Sequence, residues 1–442
     1  MRKVEKEMRK ILSCAMTLSL FTGGTAFASG YQLPDLSMNS TSKAGANIAS
    51  ANSADAAYTN PAAVSWLKDG WLAEVGTTYI HLTAVKYQDD YNPVNNGKSK
   101  VEDAIVPDIF IVSPEWRNMR FGFSITAPSG LAKRWNQPYP ATFASKFALS
   151  VIDFNPTVTY AITDKLSVAG GLRFLYASAM IMSNGMIMSE GPIDINASRT
   201  LDAEAYGYGY NLAIDYKASK EWNFAATYRS QVNLNFKGDS TLTSDVLESG
   251  QPLPSTMFGA LGLPDGMRAA IDTKGRVTAI NPAVLALSTA YSWDKFTIEL
   301  TVDRTFWSGY NQLNFNYDQS LAAYPVLAEV FGPVEKNYKD SNAIRLGLEY
   351  KITQPLTLMA GIAYDENPAP EGTMGFELPS SDAFQFSIGA RYAVTDRLDV
   401  GVGALADVFQ NFSVHQQDGA QINGRFSDAT ALLVTLGIQY RF

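Results

Sequence analysis

The sequence predicts an all-β fold: a 14-stranded antiparallel transmembrane β-barrel plugged by a small N-terminal hatch. Three observations carry that reading. Apolar and polar residues alternate with period two in segments from residue 70 to the end. Those segments are joined by short turns in alternation with long irregular connections. The 442-residue chain is rich in aromatics and poor in charge, yet past residue 28 no run of 18 apolar residues offers a transmembrane helix.

Composition narrows the function classes. Charged residues are 18%, against roughly 25% in soluble proteins. Aromatics reach 12%, with 22 Tyr, 23 Phe and 7 Trp. Two histidines and one cysteine argue against a His/Cys metal centre or a cysteine hydrolase. Ser, Asp and His fall in no nucleophile spacing, so no catalytic residue, metal or cofactor is expected. The chain is not read as an enzyme; an outer-membrane lipase is the best enzyme alternative. A net charge of −8 gives no support for nucleic-acid binding.

The chain opens with an export signal. Lys3, Lys6, Arg9 and Lys10 precede the apolar stretch Ile11 to Phe21, and Ala26, Phe27 and Ala28 supply the small-x-small cleavage pattern. Met8 is an alternative start. Cys14 makes a poor lipoprotein site, because most of the apolar stretch follows it. Removing residues 1–28 takes the net charge from −8 to −11 and leaves no cysteine. Stability of the exported chain then rests on a core or a closed sheet.

Residues 29–69 are Ala-, Ser- and Asn-rich without alternation and are read as the hatch; residues 70–442 are read as the barrel. A barrel of 14 strands is wider than the eight-stranded ones that side chains fill, so it needs a plug. The alternation is clearest in four segments: Leu166 to Tyr176, Phe296 to Asp303, Ile344 to Lys351 and Phe384 to Tyr392. The polar faces carry full charges, which suits a wet lumen. Five turns resemble one another, each beginning with a strand-end tyrosine: Tyr160, Tyr216, Tyr291, Tyr350 and Tyr392. A sixth lies around Pro114, Glu115 and Trp116. Longer connections are expected at 83–100, 128–150, 183–199, 239–275, 318–339, 367–380 and 413–426. Six turns and seven loops are 13 connections, hence 14 strands with both ends on the short-turn, periplasmic side. The last strand alternates from Leu432 to the terminal Phe442, which resembles the signal read by the barrel-assembly machinery.

Read in order, these pieces resemble the long-chain fatty acid transporter (FadL) family, which includes the toluene and xylene uptake proteins. Ser29 to Leu33 resembles the family's mature N-terminus. Ala54 to Ala62 carries its NPA hatch motif at Asn60, Pro61 and Ala62. Phe154 to Tyr160 resembles its NPxxxY strand start, and Tyr206 to Asn211 with Tyr228, Arg229 and Ser230 fits its central strands. Ala363 to Pro370 resembles its YDESPVP stretch. The usual Pro-Asp beyond it reads Pro379, Ser380, Ser381, Asp382 here.

The resemblance implies uptake of hydrophobic compounds, long-chain fatty acids or aromatic hydrocarbons, in the Gram-negative outer membrane. It implies capture by loops, gating by the hatch and sideways exit at a kinked third strand. The alternatives are a general porin and a structural surface barrel protein. The implied partners are the hydrophobic ligand, outer-membrane lipid, lipopolysaccharide and the assembly machinery, with the chain acting as a monomer.

Candidate residues follow from position. Exposed apolar loop residues mark binding; Phe143, Phe147, Met257, Phe258, Leu261, Leu327 and Phe331 are the capture candidates. Leu321, Tyr324, Leu327 and Phe331 recur at helical spacing, and Met180, Met182, Met186 and Met188 surround one loop. Packing of these loops on each other as a cap is the competing reading. Arg173, Arg229, Arg345 and Arg391 face the lumen as carboxylate candidates, against simple pairing with Glu349, Glu299 or Asp303. Gly122, Pro128 and Gly130 are candidates for the strand kink.

Overall fold

The computed structural model describes residues 30–33, 37–261, 263–264, 266–416 and 422–442. The export signal read at 1–28 lies outside them. Fourteen strands form one closed antiparallel sheet. They are β1 (Leu72–Leu82), β2 (Glu102–Val112), β3 (Met119–Arg134), β4 (Lys146–Ala161), β5 (Leu166–Glu190) and β6 (Ile193–Lys217). Two interrupted strands follow, β7 (Trp222–Arg229 and Val232–Glu248) and β8 (Ala269–Asn281 and Ala283–Trp293). The break in β8 falls at Pro282, which has no amide hydrogen to give the ladder. The rest are β9 (Phe296–Phe306), β10 (Ser341–Lys351), β11 (Leu356–Asp365), β12 (Ala383–Ala393), β13 (Leu398–Phe409) and β14 (Thr430–Arg441). β14 returns to β1, from Leu72 opposite Arg441 to Leu82 opposite Ala431. Closure is obligatory, because a free sheet edge has no hydrogen-bond partner in lipid.

Alternation makes the wall apolar outside and polar inside. On β1 and β14, Val75, Tyr79, Leu436 and Ile438 point outward and are exposed, while Glu74, Thr78 and Thr435 point inward and are buried. Tyr160, Tyr216, Tyr291 and Tyr392 form an exposed aromatic belt at the short-turn end, with Trp222, Trp293 and Phe442. Tyr350 completes it, stacked on Phe296 at 4.4 Å. Such belts sit at the membrane–water boundary.

Three expected loops prove to be largely strand. β5 and β6 run 25 residues each and meet in a turn at Gly191 and Pro192, so 183–199 is a hairpin beyond the membrane. Gly191 takes φ +59°, a conformation that favours glycine. The regions 128–150 and 239–275 likewise continue as β3, β4, β7 and β8. Pairing satisfies the backbone in water as well as in lipid. Here, however, the helix Pro138–Ala144 covers the inward face of β5, where a Cβ on Gly185 would meet Thr142 Oγ1 and Ala177, Ala179 and Ile181 are buried, so both faces are apolar and the period-two signal is lost.

Residues 37–69 lie against the inward faces of the wall. Ser37 caps the helix Met38–Ser42, its Oγ accepting from Ser40 N at 3.1 Å. That helix approaches β11, β12 and β13 so closely that side chains are excluded. A Cβ on Gly389 would meet Ser42 Oγ at 1.9 Å, and one on Gly361 would meet the Lys43 carbonyl carbon at 2.2 Å. The segment then turns on Asp55. This fully buried carboxylate accepts from Ser37 Oγ at 2.7 Å, Asn39 Nδ2 at 2.9 Å, Asn47 Nδ2 at 2.8 Å and Ser53 Oγ at 2.7 Å.

The wall fastens this segment with charged side chains. Glu299 accepts backbone N–H groups from Ile48 at 2.7 Å and Ser50 at 2.8 Å. Lys43 donates to Glu349 at 2.6 Å, both side chains being buried. Arg120 donates to four carbonyls of the stretch that leads into β1, those of Val64, Leu67, Lys68 and Gly70, at 3.0–3.3 Å.

Replacing Gly361 by Leu should leave the barrel closed, read as heat-modifiable migration in SDS gels. It should also unseat the segment, because the clash is with backbone. Liposomes carrying the variant should then swell faster in small sugars than those with wild type; equal rates would show that the segment does not depend on this contact.

Candidate functional site

The NPA turn sits on the inner wall of β4, β5 and β6. Asn60 Nδ2 donates to Ile48 O at 2.9 Å and to Asp215 Oδ2 at 2.7 Å, so one amide ties the segment to itself and to the wall. Pro61 O accepts from Thr159 Oγ1 at 2.6 Å. Ala62 is fully buried against Ala169 and Ala213. Asp215 also accepts from Trp66 Nε1 at 2.8 Å. These residues make an anchor rather than a ligand surface.

The four lumen arginines divide by partner. Arg173 donates to Asp153 at 2.7 Å and to Ser230 O at 3.0 Å, fully buried. Arg345 bonds Asp303 at 2.5 Å, Gln385 at 2.8 Å, Asp365 at 3.2 Å and Ala44 O at 3.2 Å. Arg229 donates to Tyr58 O and lies 4.1 Å from the Tyr58 ring centroid. Arg391 holds Asn52 Oδ1 at 3.0 Å and Ser53 Oγ at 2.8 Å. Of the expected acidic partners only Asp303 meets an arginine; Glu349 takes Lys43 and Glu299 takes backbone amides. Arg173, Arg229 and Arg345 share a cavity of about 90 Å³ with Gln32, Leu33 and Pro128.

That cavity borders an irregular stretch of wall. β3 pairs with β2 only from Gly122 to Ile125, opposite Ile109 to Val112. Beyond that the two strands part. On its other side β3 shifts register against β4 between Thr126 and Ser129, around Pro128. The freed edge is taken by the N-terminal residues: Leu33 N donates to Pro128 O and Gly130 N to Tyr31 O, both at 2.9 Å. Above the parting, Arg134 reaches back to Glu102 of β2 at 2.7 Å. Pro128 and Gly130 thus lie at the irregularity. Gly122 lies in regular pairing with Thr157, and its missing side chain admits Ala57, whose Cβ would be 3.1 Å away.

Directly above is an apolar pocket of about 30 Å³, lined by Phe147, Leu149, Ile181, Phe236, Val277 and Leu313. Tyr31 forms part of its lining, with its hydroxyl donating to Ile280 O at 2.5 Å and its ring edge-on to Trp307 at 4.8 Å and Tyr310 at 6.0 Å. Burial raises the phenol pKa values of Tyr31, Tyr310 and Tyr338, so all three stay neutral. The Lys336–Glu377 ion pair closes one end of the pocket. The sequence reading passed over Lys336, Trp307, Tyr310 and Tyr338. They lie in a long connection with no periodicity, and only Tyr31 carried a signal, through the N-terminal motif.

The capture candidates split. Phe147 lines the pocket, and Phe143 packs on Phe376 at 5.6 Å in an aromatic cap with Tyr87, Trp135 and Phe426. Phe258, Leu327 and Phe331 are buried in a second cluster under the loops, where the helical spacing appears as the helix Pro325–Val330. These three pack loop on loop. Met257 and Leu261 are exposed, as are Met186 and Met188 on the outer face of β5.

A family model described as "Outer membrane protein transport protein (OMPP1/FadL/TodX)" matches residues 19–442. A "Long-chain fatty acid transport protein" of Escherichia coli O6:H1 is 26% identical, over 94% of this chain and 95% of that one. The crystal structure of a Pseudomonas aeruginosa FadL homologue superposes with a TM-score of 0.79 at 18% identity, covering 94% of this chain and 100% of the other. The P. putida toluene transporter TodX gives 0.70 at 18% identity, with 92% and 98% covered.

The Arg173–Asp153 pair makes a stability test. Arg173→Met strands a fully buried carboxylate and should cost about 3–5 kcal/mol in unfolding of the refolded barrel. Adding Asp153→Asn should recover most of that loss. A single variant as stable as wild type would mean the pair contributes nothing.

Proposed function

As the chain belongs to the outer membrane transport family of FadL and TodX, we propose that it takes up hydrophobic compounds, long-chain fatty acids or aromatic hydrocarbons, by loop capture, hatch gating and lateral exit. Its place in the Gram-negative outer membrane follows from that family and the barrel. Family members are transporters or channels, not enzymes.

One observation carries the reading. The apolar pocket, the N-terminal residues and the parting of β2 from β3 are contiguous: the Tyr31 side chain lines the pocket while its carbonyl bonds Gly130 at the parting. Motion of one short segment therefore opens the pocket wall and frees the strand edge together. Moving ten methylenes from water into an apolar site is worth about 8 kcal/mol, enough for capture from dilute solution. Exit through the parting delivers the ligand to a medium equally apolar. A water-filled pore gives such a solute no gain, and the filled lumen speaks against the general porin. The clusters beneath the loops support capture, with Met257 and Leu261 as first contacts. The anchor at Asn60 and Pro61 holds the hatch while its N-terminal end moves.

The test separates capture from delivery. Cells expressing Asn60→Ala with Pro61→Ala should bind labelled oleate or toluene as wild type does, while internal accumulation falls roughly tenfold, as loss of about 1.4 kcal/mol of anchoring implies. Both quantities at wild-type level, with normal barrel abundance, would remove the motif from the gate. No uptake of either compound by wild type would remove the function.

A further inference from the structure

Cations gather at one place on the extracellular rim, although the chain without its export signal carries a net charge of −11. The connections that leave β1, β2, β13 and β14 build a small four-stranded sheet of Lys86–Asp89, Gly97–Lys98, Phe412–His415 and Asn423–Ser427. One face of it is buried against the aromatic cap, with Tyr87, Val414 and Phe426. The other shows Lys86, Lys98 and Arg425 to solvent, Lys86 directly opposite Lys98 and Arg425 opposite Gln88. The strip runs on into the wall. Lys100 is exposed and gives its N–H to Arg134 O at 2.8 Å, and Arg134 lies directly opposite Lys146 of β4.

Two of these six cations are neutralised: Lys86 meets Asp428 at 2.6 Å and Arg134 meets Glu102 at 2.7 Å. Among the described residues no carboxylate pairs with Lys98, Lys100, Lys146 or Arg425. The acids at the margin, Asp90 and Asp103, face His415 at 3.2 Å and His81 at 2.8 Å. Side chains directly opposite on neighbouring strands stand about 5 Å apart, and like charges so placed repel. That spacing lies within the Debye length of about 8 Å, so physiological salt does not remove the repulsion. The strip therefore fits an anion supplied from outside.

Its height says which anion. Lys146 shares the outward phase of Val158 and Tyr160 on β4, fourteen residues from the belt at Tyr160. At about 3.3 Å per residue and a tilt of about 40°, the strand rises about 35 Å over that length. The apolar band is about 25 Å tall, so Lys146 stands about 10 Å beyond it, level with the head groups of the outer leaflet. We propose that this strip is a binding site for the phosphorylated head group of lipopolysaccharide, the anionic lipid of that leaflet. The sequence implied this lipid only as a neighbour; the strip gives it a place on the wall. Lys98, Lys100, Lys146 and Arg425 take the phosphates, Arg425 through two parallel N–H bonds. The strip faces away from the lumen, so the site is independent of the uptake reading.

The test titrates the mature barrel in neutral detergent with rough lipopolysaccharide and follows binding by microscale thermophoresis. Wild type should bind it, less tightly as salt rises, and should prefer it by about tenfold or more over the same lipid treated with phosphatase. Lys98→Gln, Lys100→Gln and Lys146→Gln together break no ion pair. At about fivefold per cation, the triple variant should bind roughly a hundredfold more weakly. Lys165→Gln, Lys220→Gln and Lys295→Gln, exposed on the short turns, remove the same charge and should change nothing. Four results overturn the proposal. Equal binding of the phosphorylated and dephosphorylated lipid removes the phosphate contact. A folded strip variant that binds as wild type removes the site. Equal weakening by the short-turn set reduces the attraction to net charge. Full competition by inorganic phosphate at equal phosphate concentration makes the strip a site for soluble anions rather than for a lipid.

Discussion

A barrel of this width has to fill its lumen, and the filling segment brings few apolar side chains to the task. Residues 37–69 are mostly Ala, Ser and Asn, with short helices and irregular backbone between them. Such a segment is stable inside a protein only if its peptide groups are bonded. The wall does this with charges: Glu299 receives its amides, Arg120 and Arg345 reach its carbonyls, and Asp215 holds its Asn60. Much of the rest depends on this arrangement. Lumen-facing charges that would line a water channel are spent as fasteners, and the strand glycines that let the segment approach become structural requirements.

The N-terminal end is held differently. Where the central part is fixed by ion pairs and buried carboxylates, residues 31–33 are held by backbone bonds to the free edge of β3 and by one tyrosine ring. Such an edge exists only because β3 breaks step at Pro128 and separates from β2. Fastening is dense at the anchor and sparse at the tip. The proposed gate rests on this contrast between a firmly bonded centre and a lightly bonded end.

The loops repeat the division between packing and contact. Phe376, fully buried, gathers aromatic residues from three other connections into a cap, and Leu327 and Phe331 are buried against apolar residues of β6, β7 and β8. Only the rim residues face water. Large apolar content in an extracellular loop is therefore not by itself a binding surface. The cap must be held together before anything can be captured.

The sequence by itself determined the barrel. Period two, tyrosine-led turns and the final strand are local signals, set by a bilayer that forces every spanning strand to show an apolar face. They yield the 14 strands of the closed sheet. The sequence reading failed in three places. It lost β5 and β6 beyond the membrane, where the covering helix at 138–144 makes both faces apolar. It paired lumen arginines with Glu299 and Glu349, which belong instead to the inner segment. It passed over Lys336 and Tyr338 altogether. Only the tertiary structure decided these, because each depends on residues from different connections and strands, 41 to 306 positions apart, meeting at a closed wall. Alternation tells which face a side chain takes, but the partner waiting there is chosen by how the barrel curls and what fills it.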